Sequence, residues 1–533
     1  MSKNASKPGS FVRQAAMLAG ASLFVRLIGF FYRIPLTNLI GDVGNAYYNS
    51  AYTVYTFALN ISSVYMIATI SRLASERIAL GQFKNAHGLF KTAMCFSLVL
   101  GVIAFLAMFF GAAQIVALLH FPEGAAYAVR ALSPAVFVVS MLTVFRGYFQ
   151  GMKTSFPTAL SQVIEQIFKV SAALILLFVL MSYERVELSA AGAAAGTSVS
   201  VVAALGVVAG LYGLISKDLR NRAEQDETEQ LETRRTQIAA IVRTAYPMVI
   251  MLSLFSIANM LDIGMANGRI YASGAFTDEE VKVMLGQFTG KFIILTTLPI
   301  SLSASLSAAV IPEIASSHAT LDKEAVREKT NMALRISMML SIPAAVMLSV
   351  LADPIIGLLF PLQPEGGWLL RYGAISIIFL AITQIITGVL QGVGRVKVPV
   401  VGIFFGLLVK IPLNYYLMYI PSINILGAVI STVACFVVAA TVNMLLLYRF
   451  TGILPQFVST FAKPLIASLG MGLVCFSVYQ LANLGASSTV ATIAALASGF
   501  FAYMVLMVLI RGFRQADLEA MPIPQKLRGL LRL

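Results

Sequence analysis

RALSPAVFVVSMLTVFRGYFQGMKTSFPTALSQVIEQIFK, Arg130 to Lys169, is apolar over most of its length and occurs twice in the chain. Shifted by 241 positions, Arg130 falls on Arg371, Gly147 on Gly388, Gln150 and Gly151 on Gln391 and Gly392, and Lys169 on Lys410. The positions between them are nearly all apolar in both copies. A helix needs about 20 apolar residues to cross the hydrocarbon core of a membrane, so each copy reads as a pair of crossings with a lysine deep in the second.

The rest of the chain has the same character. Its 533 residues are 58% hydrophobic and 12% charged, against about a quarter charged in a soluble protein. On a 20-residue template the sequence divides into fourteen spans, from 13–39 and 47–72 at the start to 457–481 and 488–511 at the end. Spans four and five cover 126–152 and 156–181, spans ten and eleven 367–392 and 397–420. Lysines and arginines collect in alternate loops, among them Arg72, Arg77, Lys84 and Lys91, the group Lys217 to Arg235, and the tail from Arg511 to Arg532. The intervening loops hold Asp42, Glu123, Glu184, Glu187 and Glu365. By the excess of positive charge on the cytoplasmic side, both termini are expected in the cytoplasm.

The 241-residue offset also carries Ile70, Ala74 and Ser75 onto Ile311, Ala315 and Ser316. The expected architecture is therefore an all-α membrane protein with fourteen transmembrane helices, in two six-helix lobes related by a parallel internal repeat. The lobes are 1–215 and 237–450, joined by a solvated cytoplasmic linker at 216–236, and 451–533 adds two further spans and a basic tail.

Several functions are disfavoured at this level. The net charge of +14 suggests nucleic acid, but the basic residues sit in short clusters between apolar spans rather than on one polar face. No GxxxxGK[ST] phosphate loop is present, so the chain is not expected to hydrolyse ATP. The three cysteines lie in apolar segments without a pairing pattern, and the three histidines have neither metal spacing nor a nucleophile beside them. Neither catalysis nor a bound metal is expected.

What remains is a set of ionisable residues inside spans, each costing at least about 2.5 kcal/mol at a helix centre and so expected to face protein or water. Lys169 lies about 20 Å into span five, near the midplane, and Lys410 is at the same depth in span eleven. Glu165, one turn before Lys169, is in the favourable order for an ion pair along the helix. The second copy has Gly406 at that place, which leaves Lys410 without a local counter-charge. Arg26 and Arg33 share a face of span one, two turns apart. Lys291 and Asp262 complete the set, and Arg146 reads as an anchor at the basic end of span four. Arg26, Arg33, Lys169, Lys291 and Lys410 outnumber Glu165 and Asp262, and a cationic interior implies an anionic substrate. Arginine offers two-pronged phosphate binding and lysine a point charge.

LFVRLIGFFYRIPLTNLIG (Leu23 to Gly41), ISRLASERIALGQFKNA (Ile70 to Ala86) and FRGYFQGMKTSFPTALSQVIEQIFKV (Phe145 to Val170), set in a frame of six, six and two spans, resemble the polysaccharide-transporter branch of the multidrug/oligosaccharidyl-lipid/polysaccharide (MOP) exporter superfamily. Within it they are most similar to the MurJ-type and stage V sporulation protein B-like lipid II flippases. The resemblance implies inward- and outward-open V-shaped states, a central cationic cavity for a lipid-linked diphosphate sugar, and a groove for the polyprenyl tail on spans thirteen and fourteen. It assigns Arg26, ahead of Leu27-Ile28-Gly29, to the family's span-one arginine. It also raises a coupling cation, sodium or proton, at Asp262 and Asn414. Two features depart from the family pattern. NAYYNSAY has Tyr47 near the place of an aspartate, and TFALNISSVY replaces an arginine-rich end of span two.

These readings lead to a flippase that moves undecaprenyl-diphosphate-linked peptidoglycan precursor from the inner to the outer leaflet of the bacterial cytoplasmic membrane. The expected partners are that lipid-linked anionic glycan, membrane lipids and the cell-wall synthesis machinery. Alternatives are a flippase for a teichoic, capsular or O-antigen lipid, a cation-coupled drug exporter, and an integral polyprenyl-sugar transferase. The basic interior disfavours the exporter, and the lack of an acidic cluster on a sizeable loop disfavours the transferase.

Overall fold

A computed structural model describes residues 8–226, 228, 230–395 and 397–513. Arg514, Lys526, Arg528 and Arg532, in the basic tail read above as a topology signal, lie outside the described residues, as do Lys3 and Lys7. The protein is all-helical, with no strand among the described residues. It forms two compact units, Met1–Gly268 and Arg269–Leu533. Twelve helices are long and apolar enough to cross a membrane, or thirteen if the bent pair Gly367–Gly373 and Ser376–Gly392 is one span. The expected number was fourteen, and the difference lies at the start of the chain, where the 60 residues Gly20–Ala79 are counted once.

That first stretch turns back on itself. Helix α1 (Pro8–Ser62) is broken at Gly41, whose φ of 68° and ψ of −176° are not helical. Only glycine adopts such a conformation without strain. In a straight helix Arg33 and Asn49 would stand about 24 Å apart at 1.5 Å per residue. Instead the Arg33 guanidinium donates to Asn49 Oδ1 at 2.8 Å, so the chain reverses at Gly41 and sets the two halves side by side.

The first unit continues with α2 (Val64–Ala79), α3 (Phe83–Phe110), α4 (Ala112–Leu118), α5 (Ala125–Gly151), α6 (Phe156–Met181), α7 (Val186–Glu224) and most of α8 (Arg234–Ala272). Helix α5 runs through its middle, in contact with α1, α2, α3 and α7. Its core joins Met66 and Ile70 to Leu89, Phe90, Val144, Tyr148 and Ile241. The other end of α8 is held too, by Asn267 Nδ2 donating to the His120 carbonyl at 2.9 Å. These attachments place the division between units at the far end of α8, whereas the sequence reading put it in the linker.

The linker itself is docked rather than fully solvated. Residues 216–224 continue α7, and 234–236 already belong to α8. Between them, Asp226 Oδ2 accepts from the Lys84 backbone N–H at 2.7 Å, and the Asn85 side chain reaches the Gln230 carbonyl and the Glu232 N–H. Arg77 pairs with Glu232 at 2.7 Å.

The second unit holds α9 (Asp278–Gln287), α10 (Ile293–Ala319), α11 (Lys323–Val350), α12 (Ala352–Leu359), α13 (Gly367–Gly373), α14 (Ser376–Gly392), α15 (Val398–Leu417), α16 (Leu426–Thr451), α17 (Lys463–Asn483) and α18 (Ser488–Leu509). Helix α14 takes the place of α5, packed on α10, α11 and α16. The repeated glycines explain the shared geometry. A Cβ on Gly151 would stand 3.0 Å from the Ser71 carbonyl oxygen, and one on Gly392 would stand 3.0 Å from that of Ile311. With no side chain at these positions, each central helix rests directly on the backbone of its neighbour.

Candidate functional site

The reversal at Gly41 brings Arg33 against the start of the second half of α1. Its guanidinium carbon lies 4.9 Å from the centre of the Tyr48 ring and 5.6 Å from that of Tyr52. Lys169 reaches the same tyrosine from α6, its ammonium 4.8 Å from the ring centre and donating to the hydroxyl at 3.2 Å. Tyr48 and Tyr52 are themselves stacked, 5.8 Å between centres, with Tyr55 5.4 Å further on. Two cations from two helices thus converge on one aromatic ladder.

Among the described residues no carboxylate pairs with Arg33 or Lys169. The sequence had suggested Glu165 for Lys169, and here the structure differs. Glu165 Oε2 lies 2.8 Å from Arg146 Nη2, and Arg146 Nε donates to Ser161 Oγ at 2.9 Å. Arg146 is therefore not an anchor at the membrane edge but a buried partner, its side chain 8% exposed. A guanidinium on the adjoining helix offers a fork that an ammonium on the same helix does not. With Glu165 committed to Arg146, it does not serve as the partner of Lys169. Arg26 lies exposed on α1, two turns before Arg33, and Asp262 is buried in α8, 4% exposed.

The second unit repeats the lysine and little around it. Positions equivalent to Arg146, Ser161, Glu165 and Tyr52 are Thr387, Gly402, Gly406 and Ile293. Gly406 is packed so that a Cβ would lie 2.6 Å from the Cys435 carbonyl oxygen, which leaves no room for a carboxylate. Lys410 is 6% exposed and has an interaction of its own within the chain. Asn414, one turn on, is 1% exposed and accepts from the Ser431 hydroxyl. Lys291, expected among the anion-binding cations, is fully buried in a wide π turn at Phe288–Phe292. Its ammonium donates to the carbonyls of Gln363 and Glu365 at 2.8 and 2.9 Å. It pins the loop after α12.

Sequence reading missed the tyrosines. Tyr48, Tyr52 and Tyr55 recur at helical spacing on one face, a signal present in NAYYNSAYTVY (Asn45 to Tyr55), but aromatics in an apolar helix ordinarily pack, and nothing local shows that Arg33 and Lys169 will be brought to them.

The family model described as polysaccharide biosynthesis protein matches residues 11–318, and the MatE model matches 287–416. The lipid II flippase MurJ of Bacillus subtilis (strain 168) is 25% identical over 459 residues, covering 83% of each chain. Stage V sporulation protein B of the same organism is 22% identical over 521 residues, 96% of this chain and 98% of its own. The solved structure of lipid II flippase MurJ in its inward closed conformation superposes with a TM-score of 0.68 at 15% identity, over 93% of this chain and 98% of that one. That likeness is one of fold. With the family model spanning more than half of its length, this multi-pass membrane protein belongs to the polysaccharide biosynthesis protein family, in the MOP superfamily branch that its repeated spans resemble.

Proposed function

We propose that the protein is a flippase for a lipid-linked anionic glycan, with undecaprenyl-diphosphate-linked peptidoglycan precursor as cargo, carried from the cytoplasmic to the outer leaflet by alternating access. The observation that carries this reading is the pair Arg33 and Lys169 on the Tyr52 ring. Cations held by aromatic faces are desolvated and oriented without being neutralised, unlike Arg146, which has its own carboxylate. Such a pair offers a forked donor and a point charge to a diphosphate. Arg26 and Lys410 are assigned to the same path on the strength of the repeat and the family resemblance. Sodium or a proton at Asp262 and Asn414 is the proposed coupling ion. The cytoplasmic side is taken as the one bearing the basic loops.

The test uses cells depleted of their own flippase, with outer-leaflet lipid II as readout. Expression of this chain is expected to restore accessibility, and Lys169→Ala and Lys410→Ala to abolish it with membrane insertion intact. Growth supported by both variants would sink the mechanism. The family description equally suits another lipid-linked polysaccharide, and that reading prevails if a teichoic or capsular lipid is flipped and lipid II is not.

A further inference from the structure

In the first unit, the middle of α2 and the first turns of α8 line a pocket of about 680 Å³. Its floor is small, with Ala239 and Ala240 among the lining residues, and its polar groups are Arg72, Arg243, Thr236 and Thr244. No acidic residue lines it. Arg72 touches Glu76 through Nε at 2.9 Å, which leaves the two terminal nitrogens of its fork uncommitted to that contact. Arg243 is exposed and has no acidic partner among the described residues. Ile70 and Leu73 of α2 and Ile241 and Ala245 of α8 belong to one buried apolar cluster, which ties together the two helices that carry the arginines. The pocket thus brings two exposed guanidinium groups from separate helices to one cleft with two hydroxyls, the Thr236 hydroxyl also sharing a hydrogen bond with that of Thr233.

We infer that this pocket is a phosphate-binding site, which takes the diphosphate headgroup of a lipid in the leaflet on the basic side before the lipid reaches the ladder. Two arginines from separate helices match the several oxygens of a diphosphate, which each guanidinium binds through paired N–H groups. Ordinary snorkelling arginines would not need to share a pocket lined with hydroxyls. The nature of the lipid rests on the function proposed above, whereas the affinity for phosphate does not.

The experiment measures binding to the purified full chain, without transport, so its failure is distinct from a failure of flipping. Inorganic pyrophosphate is titrated onto the chain in nanodiscs of neutral lipid, for wild type, Arg72→Ala/Arg243→Ala, Arg72→Lys/Arg243→Lys and Arg220→Ala. The expected result is a loss of at least about tenfold in affinity for the double alanine variant, a smaller loss for the lysine pair, and no change for Arg220→Ala, which removes an exposed arginine outside the pocket. Lys169→Ala is expected to keep this binding while losing transport. Equal affinity in wild type and the double alanine variant overturns the site, as does an equal loss in Arg220→Ala. In a second arm, farnesyl diphosphate in the nanodisc is expected to displace pyrophosphate in wild type. Displacement by free nucleotide diphosphate but not by the membrane-bound prenyl compound overturns the assignment to a lipid.

Discussion

Lys169 and Arg33 share one phenol ring, and the chemistry of that ring decides how they respond to substitution. Lys169→Ala removes a charge from the ladder and is expected to lower flipping by at least about 100-fold, the equivalent of two charge-assisted hydrogen bonds at about 1.5 kcal/mol each. Tyr52→Phe keeps the ring and loses only the hydroxyl that accepts from Lys169, so its loss should stay within about threefold, while Tyr52→Leu removes the platform and should cost about tenfold. Outer-leaflet lipid II accessibility checks all three, and a Phe variant as damaged as the Leu variant would refute the role of the ring face. Glu165 belongs to a different account. Its loss in Glu165→Ala strands the buried Arg146 and should destabilise the first unit by about 3 kcal/mol, read as a lower denaturation midpoint in detergent micelles. An unchanged midpoint would mean that the pair is not a structural one.

At the scale of elements, the segment between α7 and α8 is docked partly through a titratable group, Asp226. Burial pushes the Asp226 carboxyl up, and bonds from the Thr228 hydroxyl, the Lys84 and Thr228 backbone N–H groups and the Lys84 charge outweigh it, leaving the value below the ordinary 3.8. A carboxyl lowered in the folded state adds stability that is complete above its ordinary value and disappears as pH falls through the lowered one. Docking of the segment should therefore be independent of pH from neutrality down to about 4 and weaken below that. Hydrogen exchange of residues 228–233 reports it. Asp226→Asn is expected to raise exchange already at pH 7, and equal protection in variant and wild type would show that Asp226 does not hold the segment.

For the whole molecule, the alternation of loop charge makes a claim about sidedness. Gln225→Cys, on the basic side, should resist a membrane-impermeant maleimide in intact cells and react after permeabilisation, while Ser182→Cys, beside Glu184, should react at once. The reverse pattern would invert the topology, and with it the direction of transport. The two units also differ in a way that bears on mechanism. Among the described residues only the first has the Arg146 and Glu165 pair and the tyrosine ladder, so the repeat supplies two similar scaffolds and elaborates the cation site in one of them.

The sequence by itself determined the membrane class, the all-helical character and the repeated stretch that sets Lys169 and Lys410 at equivalent positions. These follow from local composition and from periodicity, which need no knowledge of neighbours. It also marked Gly147, Gly151 and their copies, whose lack of a side chain had a packing reason. What it left open was every pairing between helices. Glu165 had a lysine one turn away and took an arginine from α5. Lys291 looked like an anion ligand and became the pin of a loop. Arg33 met Tyr48 and Tyr52 only because Gly41 folds α1 back on itself. Charges in an apolar setting seek the best-shaped partner within reach, and reach is set by how helices pack. That was decided by the tertiary structure alone.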